Sequence, residues 1–474
     1  VTYLPYNEET TIPIRYKNKG RYAYQTKNVW NKEKKKYETK WTYLGIVTPT
    51  GQYKKAHIKQ EKLCLNYGDT YTLNEYCKKS NLTTLIQNVF GNLANPILAL
   101  TYYKIVEQSA MQHAQTWLEG NYANQLFPDI NFSTQKISEL LKHAGNEHLH
   151  REFFKQYLQK TYKKRGVIID STALPNNISF PLTAFGHYDN KIEKETRLLM
   201  VVDKETKNPL YFRYMAGNIV DVSTLKNTVK ELSLMGVSVA SSLIDAGYCS
   251  EDNLTHLYEE RVSFLTRLPA GRALFSELVD KTVVTLQLPQ NAVFFGDRVL
   301  YIEKVPVVLY EKYGAFAYVC CDISRRAQET VRLLKAAKED RLSDVEVNER
   351  LGRLGVFVLL SSVDVDVSEV LGLYYLRGAV EEIFKVSKCC VDLLPLRVHS
   401  EEAFRGVLFL NFLAVVLYKN FQGQLPVDVS VESALLVMRN WVCKVFDDGT
   451  ILPSEPTKKQ KTILEAITNT VGKF

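Results

Sequence analysis

Residues 166–172 read Gly-Val-Ile-Ile-Asp-Ser-Thr, and residues 239–250 read Val-Ala-Ser-Ser-Leu-Ile-Asp-Ala-Gly-Tyr-Cys-Ser. Each is a short apolar run, rich in β-branched side chains, that stops at an aspartate, the pattern of a buried strand entering a loop. Residues 167–169 therefore predict a strand ending at Asp170, and 239–244 one ending at Asp245. Were these parallel neighbours, their ends would hold two carboxylates about 5 Å apart, close enough to share one divalent cation. Taken singly, an aspartate after an apolar strand is usually a turn or cap residue. Only a third carboxylate makes the pair a metal site.

Working outward, 198–203 and 210–215 read as strands joined by the turn Lys207-Asn208-Pro209, an antiparallel meander with the first strand. Residues 224–235 form a helix closed by Gly236, Ser250 opens another at 251–260, and 262–266 is a fifth strand. Three strands, a helix, a strand, a helix and a strand predict an α/β fold, a mixed five-strand sheet with flanking helices. Strand-like runs at 282–288, 292–295, 299–303 and 315–321 make 269–354 a β-rich insertion. Beyond it come a strand at 355–360 and helices at 367–390, 401–418, 431–445 and from Thr457.

Upstream, 21–30 and 37–47 form a hairpin turning at 31–36. Helices follow at 73–79 and 82–90, separated by Ser80-Asn81, either a helix-turn-helix or an ordinary helical hairpin. Further helices are expected at 97–118, 133–143 with Ser133 as N-cap, and 149–163. The chain thus divides into a basic aromatic hairpin region (1–66), a helical region (67–163), a core in two parts (164–268 and 355–420) around the insertion (269–354), and a C-terminal helical region (421–474).

A length of 474 residues is ample for several domains, and 46% hydrophobic with 24% charged residues excludes disordered, collagenous and coiled-coil classes. The longest apolar run, 406–418, contains Asn411 and is shorter than the roughly 20 residues of a membrane helix. No signal-peptide pattern is visible in 1–11. Eight cysteines with two adjacent pairs, 320–321 and 389–390, and no C-x-x-C fit neither a disulfide framework nor a zinc site, so a reducing cytoplasm is expected. His143, His148 and His150 lack acidic or thiol partners nearby and read as a solvated helix end.

The net charge is +8, yet residues 1–62 alone carry 14 Lys and Arg against 5 Glu and no Asp. There Tyr16, Tyr22, Tyr24, Trp30, Tyr37, Trp41 and Tyr43 alternate with basic residues, including Lys34, Lys35 and Lys36. That combination suits phosphate contact and stacking on bases, although charge runs are usually solvated faces.

The third carboxylate is sought at 374–388, Tyr-Tyr-Leu-Arg-Gly-Ala-Val-Glu-Glu-Ile-Phe-Lys-Val-Ser-Lys. At 100° per residue Tyr374, Arg377, Glu381 and Lys388 share a stripe roughly 60° wide. By itself this could be a surface ion pair, Arg377 and Glu381 being four apart. The spacing Y-x2-R-x3-E-x6-K nevertheless resembles the signature of bacterial insertion-sequence transposases of the DDE type. Asp170-Ser171-Thr172, Gly217-Asn218 with Asp221 and Thr224, and Asp245-Ala246-Gly247-Tyr248 with Ser250 and Asn253 follow in the order of that family. The similarity spans roughly 166–418.

The resemblance implies a ribonuclease H-like core with a β-rich insertion, and a catalytic and metal-binding triad of Asp170, Asp245 and Glu381 holding two Mg²⁺ ions, or Mn²⁺ in their place. It implies that Tyr374, Arg377 and Lys388 bind DNA. Partners would be double-stranded DNA, both inverted repeats and target, and a second copy of the chain, in the bacterial cytoplasm. Lys34, Lys35, Lys36, Trp30 and Trp41 are the candidate DNA contacts of the N-terminal region, and the helical region 67–163 would be DNA-binding too, end recognition falling to the hairpin and helices from Arg15 to about Phe90. The implied reaction is metal-dependent cleavage at transposon ends followed by strand transfer. One departure is Gly378, where the family often has Trp. Two other classes compete. One is a catalytically inactive, transposase-derived DNA-binding protein or repressor, which intact acids disfavour. The other is a phosphatase with an aspartyl nucleophile, which would need a second Asp where Thr172 stands.

Overall fold

The computed structural model describes residues 14–50, 53–54, 59–163, 166–188, 191–218, 222–340 and 343–469. The chain forms two compact units, one of Val1–Cys64 with Cys443–Pro453 and one of Leu65–Val442 with Ser454–Phe474.

The first unit is built on β1 (Ile14–Lys17), β2 (Tyr22–Asn31), β3 (Lys36–Val47) and β4 (Tyr53–Lys54), an antiparallel sheet in that order. The expected hairpin is its centre. Its turn is closed by Asn31, whose side-chain oxygen accepts from the backbone of Glu33 and Lys34 at 3.1 Å. Period-two alternation puts Tyr22, Tyr24 and Trp30 of β2 on one face with Tyr37, Trp41 and Tyr43 of β3. β5 (Glu61–Asn66) pairs with a hairpin of two late strands, Val442–Phe446 and Ile451–Pro453. The stretch 421–474 is therefore not wholly helical: Asp447 and Gly449 (φ +79°) turn the chain between those strands.

The second unit begins with helices α1 (Gly68–Lys79), α2 (Leu82–Phe90), α3 (Ala94–Glu107), α4 (Ala114–Gly120), α5 (Ala123–Leu126), α6 (Thr134–Ala144) and α7 (Glu147–Thr161). The single helix expected at 97–118 is two, broken where Gln108 turns left-handed (φ +47°). α2 carries no charged residue and buries Leu82, Leu85, Ile86 and Phe90. The pair α1–α2 forms as expected, and its second member offers only neutral side chains. His150 is not solvated: it is buried, its Nε2 is 2.6 Å from the Ala144 carbonyl, and its ring stacks on Phe409 at 4.6 Å.

The sheet that follows has ten strands, not five. β6 (Val167–Pro175), β7 (Ala184–Tyr188), β8 (Lys191–Asp203), β9 (Pro209–Ala216), β10 (Ser241–Ile244) and β11 (Ser263–Leu268) form one half. Their order is β9-β8-β6-β10-β11, with β7 beside the far end of β8. β6, β10 and β11 are parallel, β8 runs against them, and β9, antiparallel to β8, runs with them again. β6 does not stop at Asp170 but continues to Pro175, because β8 offers it a partner as far as Glu195. α8 (Val222–Leu234) and α9 (Glu251–Glu259) link the strands, and Gly236 (φ +81°) follows α8 as expected.

The region 269–354 is not a separate β-rich body. It holds α10 (Ala273–Thr282), β12 (Ala292–Phe295), β13 (Arg298–Leu309), β14 (Tyr313–Asp322), α11 (Ile323–Asp340) and α12 (Asp344–Arg353). Its strands extend the main sheet through β15 (Val356–Ser361), giving the further order β11-β15-β14-β13-β12, all antiparallel. The run 282–288 is helix end and turn: Val283, Val284 and Leu288 are exposed, and Thr282 and Leu286 are buried.

The expected helix 367–390 is interrupted. It forms α13 (Val367–Tyr375), α14 (Gly378–Lys385) and one π-helical turn, Val386–Cys390. Leu376 and Arg377 join the first two by three-residue turns, next to a glycine that propagates a helix poorly. α15 (Glu401–Gln422), α16 (Val431–Arg439) and α17 (Lys458–Asn469) complete the unit. α15 is long and apolar enough to cross a membrane, yet 83% of that stretch is buried within the fold. Its Phe409 and Phe412 centre an aromatic cluster with Phe90, Phe153, Phe154, Tyr157 and Phe212.

Candidate active site

Parallel pairing of β6 and β10 sets Ile244 opposite Ile169. Asp245 and Asp170, each one residue further along, therefore lie side by side where β10 ends against the middle of β6. The loop after Asp245 is pinned by the residues singled out beside it. Ser250 caps α9 by accepting from the Asn253 backbone, and Asn253 Nδ2 donates to the Tyr248 carbonyl at 3.0 Å. Thr266 Oγ1 donates to the Asp245 carbonyl at 3.3 Å. Gly217 is required by space, since a Cβ there would meet the Glu195 carbonyl at 2.3 Å. Thr224 donates to the Met215 sulfur at 3.2 Å. Asp221 lies outside the described residues.

The break between α13 and α14 aims Arg377 at both aspartates. Its guanidinium reaches Asp170 Oδ2 at 2.9 Å through Nη2 and Asp245 Oδ1 at 2.9 Å through Nη1. Glu381 Oε1 lies 3.9 Å from the same Nη2. Three acids remote in sequence thus face one guanidinium. Arg377 Nη1 also donates to the Tyr374 hydroxyl at 3.2 Å, while Nε is buried without a hydrogen-bond partner. Lys388, carried on the π-helical turn, donates to Thr172 Oγ1 at 2.8 Å, two residues beyond Asp170. All four residues of the 374–388 stripe and both strand aspartates are therefore at one place.

Burial raises the Asp170 pKa above the ordinary aspartate value; Arg377 acts against that rise and Asp245 with it. Burial works against the Arg377 charge, but Asp170 and Asp245 outweigh it and raise its pKa. Lys388 is held below the usual lysine value by burial, with Cys389 and Glu195 opposing. The acids differ in access: the Glu381 side chain is 67% exposed, against 12% for Asp170 and 40% for Asp245.

Among the described residues no three His, Cys, Asp or Glu side chains stand close enough to grip a metal ion as they lie. Here the guanidinium fills the space between the carboxylates. The donor set itself suits a hard cation, being carboxylate oxygen only. Three carboxylates also face a single positive group, leaving a charge deficit that a divalent ion would offset.

Beside the acids lies a cavity of about 290 Å³ lined by Arg267, Arg325, Phe357, Tyr374, Tyr375, Arg377, Gly378 and Glu381. A Cβ on Gly378 would meet nothing within 4 Å, so the missing side chain leaves this space open. Arg267 and Arg325 were not foreseen; the signal for Arg267 was a lone cation inside the apolar strand β11. Arg197 was also missed, although it is the charged start of the apolar run 198–202, and it donates to Ser171 Oγ at 3.1 Å.

In the first unit, Trp30 packs edge-on against Tyr37 at 4.9 Å and is 48% exposed. Trp41 is covered by Lys17 at 4.1 Å and Arg15 at 5.8 Å. Lys34 pairs with the partly exposed Glu38 at 3.1 Å, and Lys35 and Lys36 are exposed.

Compared with known proteins, residues 161–417, more than half of the chain, match the family model described as a transposase DDE domain. No curated protein matches. Among solved structures, a piggyBac transposase synaptic complex with hairpin DNA aligns at 12% identity and a TM-score of 0.39, covering 84% of this chain and 71% of that one. A Mos1 transposase paired-end complex with the left transposon end aligns at 13% identity and a TM-score of 0.16, covering 48% of this chain and 66% of that one.

Proposed function

The chain belongs to the transposase DDE-domain family, and from that premise we propose that it binds the inverted-repeat ends of a bacterial insertion sequence and catalyses metal-dependent strand cleavage and strand transfer. The observation carrying this reading is the convergence of Asp170, Asp245 and Glu381 on one guanidinium where β10 ends beside its parallel neighbour β6. The strand order β9-β8-β6-β10-β11 supports a ribonuclease H-like core.

Asp170, Asp245 and Glu381 would hold Mg²⁺ or Mn²⁺, two ions per site, which when bound supply charge neutralisation, an activated water or 3′-hydroxyl, and stabilisation of the leaving oxygen. Asp170, anchored within β6, and Asp245, fixed by Thr266, provide the rigid side of the cage. Glu381, exposed on α14, is the side open to DNA. Lys388 and Arg377 bring positive charge to the phosphates flanking the cut, and Tyr374 orients the Arg377 fork through its hydroxyl. Around Trp30, Trp41, Lys34, Lys35 and Lys36 the first unit supplies backbone contacts that carry affinity more than sequence. Two ends are joined by two copies of the chain.

A duplex carrying the element's own flanking inverted repeats, incubated with the full chain and Mn²⁺ or Mg²⁺, is expected to be nicked at the repeat boundary. Binding without nicking under any divalent ion would instead support a repressor.

A further inference from the structure

We infer that Arg377 is a removable internal counter-ion: it closes the acid site while no metal is bound and withdraws into the adjoining cavity when a divalent cation takes its place. The inference rests on Asp170, Asp245 and Glu381 being the metal ligands.

Four observations carry it. First, the guanidinium stands between the carboxylates, with two 2.9 Å ion pairs and a third contact at 3.9 Å, so metal and guanidinium compete for one space. Second, the acids without any counter-charge would repel one another across a partly buried site, a cost the guanidinium removes. Third, the Arg377 grip is incomplete: its Nε is buried and donates to nothing. A group with a buried donor unpaired gains by moving to where that donor can be satisfied. Fourth, there is room. Arg377 itself lines the 290 Å³ cavity, and Gly378, the next residue, puts no side chain in the way. Arg377 also sits at the break between two helices rather than inside one.

Arg377 then has two positions, one on the carboxylates and one clear of them, and metal loading draws it from the first to the second. Metal binding to the free protein is weakened by the free energy of that exchange. The fold also has no need of metal, because the acids are already neutralised in part.

The test is Mn²⁺ binding to the full chain without DNA, followed by electron paramagnetic resonance of the free ion, in wild type, Arg377→Gln, Arg377→Lys and Asp170→Asn. Arg377→Gln is expected to bind Mn²⁺ about tenfold more tightly than wild type, equivalent to about 1.4 kcal/mol. Arg377→Lys, whose single ammonium cannot span both aspartates through two nitrogens, should fall between them. Melting in EDTA should be lower for Arg377→Gln than for wild type and be restored by Mn²⁺. Should Arg377→Gln not fold, an Arg377→Lys affinity at or below wild type overturns the inference by itself. Arg377 variants that bind Mn²⁺ no more tightly, while Asp170→Asn loses it, overturn the counter-ion role and leave the triad standing. Asp170→Asn binding as well as wild type overturns the triad and the inference with it.

Discussion

In the ten-stranded sheet, beside the end of β10, one guanidinium, Arg377, faces three carboxylates, whereas in the first unit Arg15 and Lys17 lie over the rings of Trp41 and Tyr24. No carboxylate among the described residues pairs with either of those two cations. Both regions are rich in positive charge, but the charge is held differently. A cation fixed by carboxylates belongs to the electrostatics of the fold and leaves only if another cation replaces it. A cation laid on an aromatic face keeps its N–H groups available, and phosphate can bind it without displacing anything. On the proposed function, one region exchanges partners and the other accepts them.

The largest effect that would sharpen this contrast is on chemistry. Asp170→Asn or Asp245→Asn should lower strand cleavage by about a thousandfold or more while leaving end binding intact, read by nicking and mobility-shift assays on the same DNA. Loss of binding in step with cleavage would erase the distinction between the regions. Next comes the first unit. Replacing Lys34, Lys35 and Lys36 together by Ala should weaken DNA binding and flatten the plot of log affinity against log salt by about 2 to 3, close to one per lost phosphate contact. An unchanged slope would mean that these lysines do not meet DNA. Lys388→Met should slow cleavage about tenfold at saturating DNA, or about 1.4 kcal/mol of transition-state stabilisation, and lower the salt slope by only about one, a single phosphate contact.

The smallest effect concerns stability. Burial pushes the His150 imidazole down from 6.5 to about 4. Between those values the unfolded chain binds a proton that the folded chain refuses, so stability is lost as the pH falls from 6.5 toward 4, by an amount on the order of 3 kcal/mol. His150→Gln should remove that part of the pH dependence, measured as the shift in urea midpoint between pH 7 and pH 4.5. A variant with the wild-type slope would show that His150 is not the group responsible.

The strands that carry the acids were legible because each ends its buried apolar residues, Val167-Ile168-Ile169 and Leu243-Ile244, directly before an aspartate. The meander of β6, β8 and β9 was legible from similar apolar runs. What the sequence concealed was partnership. β6 reads as ending at Asp170 because Ser171 and Thr172 are polar, yet pairing with β8 carries it to Pro175. Residues 282–288 have the β-branched composition of a strand, but three of their apolar side chains are exposed and no neighbour pairs with them. The strands of 269–354 were found while their attachment was not, since nothing local to β14 says that β15 will join it to the main sheet. At the site, the 3.6-residue stripe brought Tyr374, Arg377, Glu381 and Lys388 together in projection. Arg377 binding all three acids was invisible, because Arg377–Glu381 spacing is equally that of an ordinary surface pair. His150 was misread because its burial depends on Phe409, more than two hundred residues away.

The most direct test of the central claim, that Asp170, Asp245 and Glu381 share one cation site, is iron-directed backbone cleavage. Fe²⁺ loaded in place of Mg²⁺ and treated with ascorbate and peroxide should cut the chain near residues 170, 245 and 381 together, with all three cuts suppressed by excess Mg²⁺. Cuts near 170 and 245 without one near 381, or cuts that Mg²⁺ does not suppress, would contradict it.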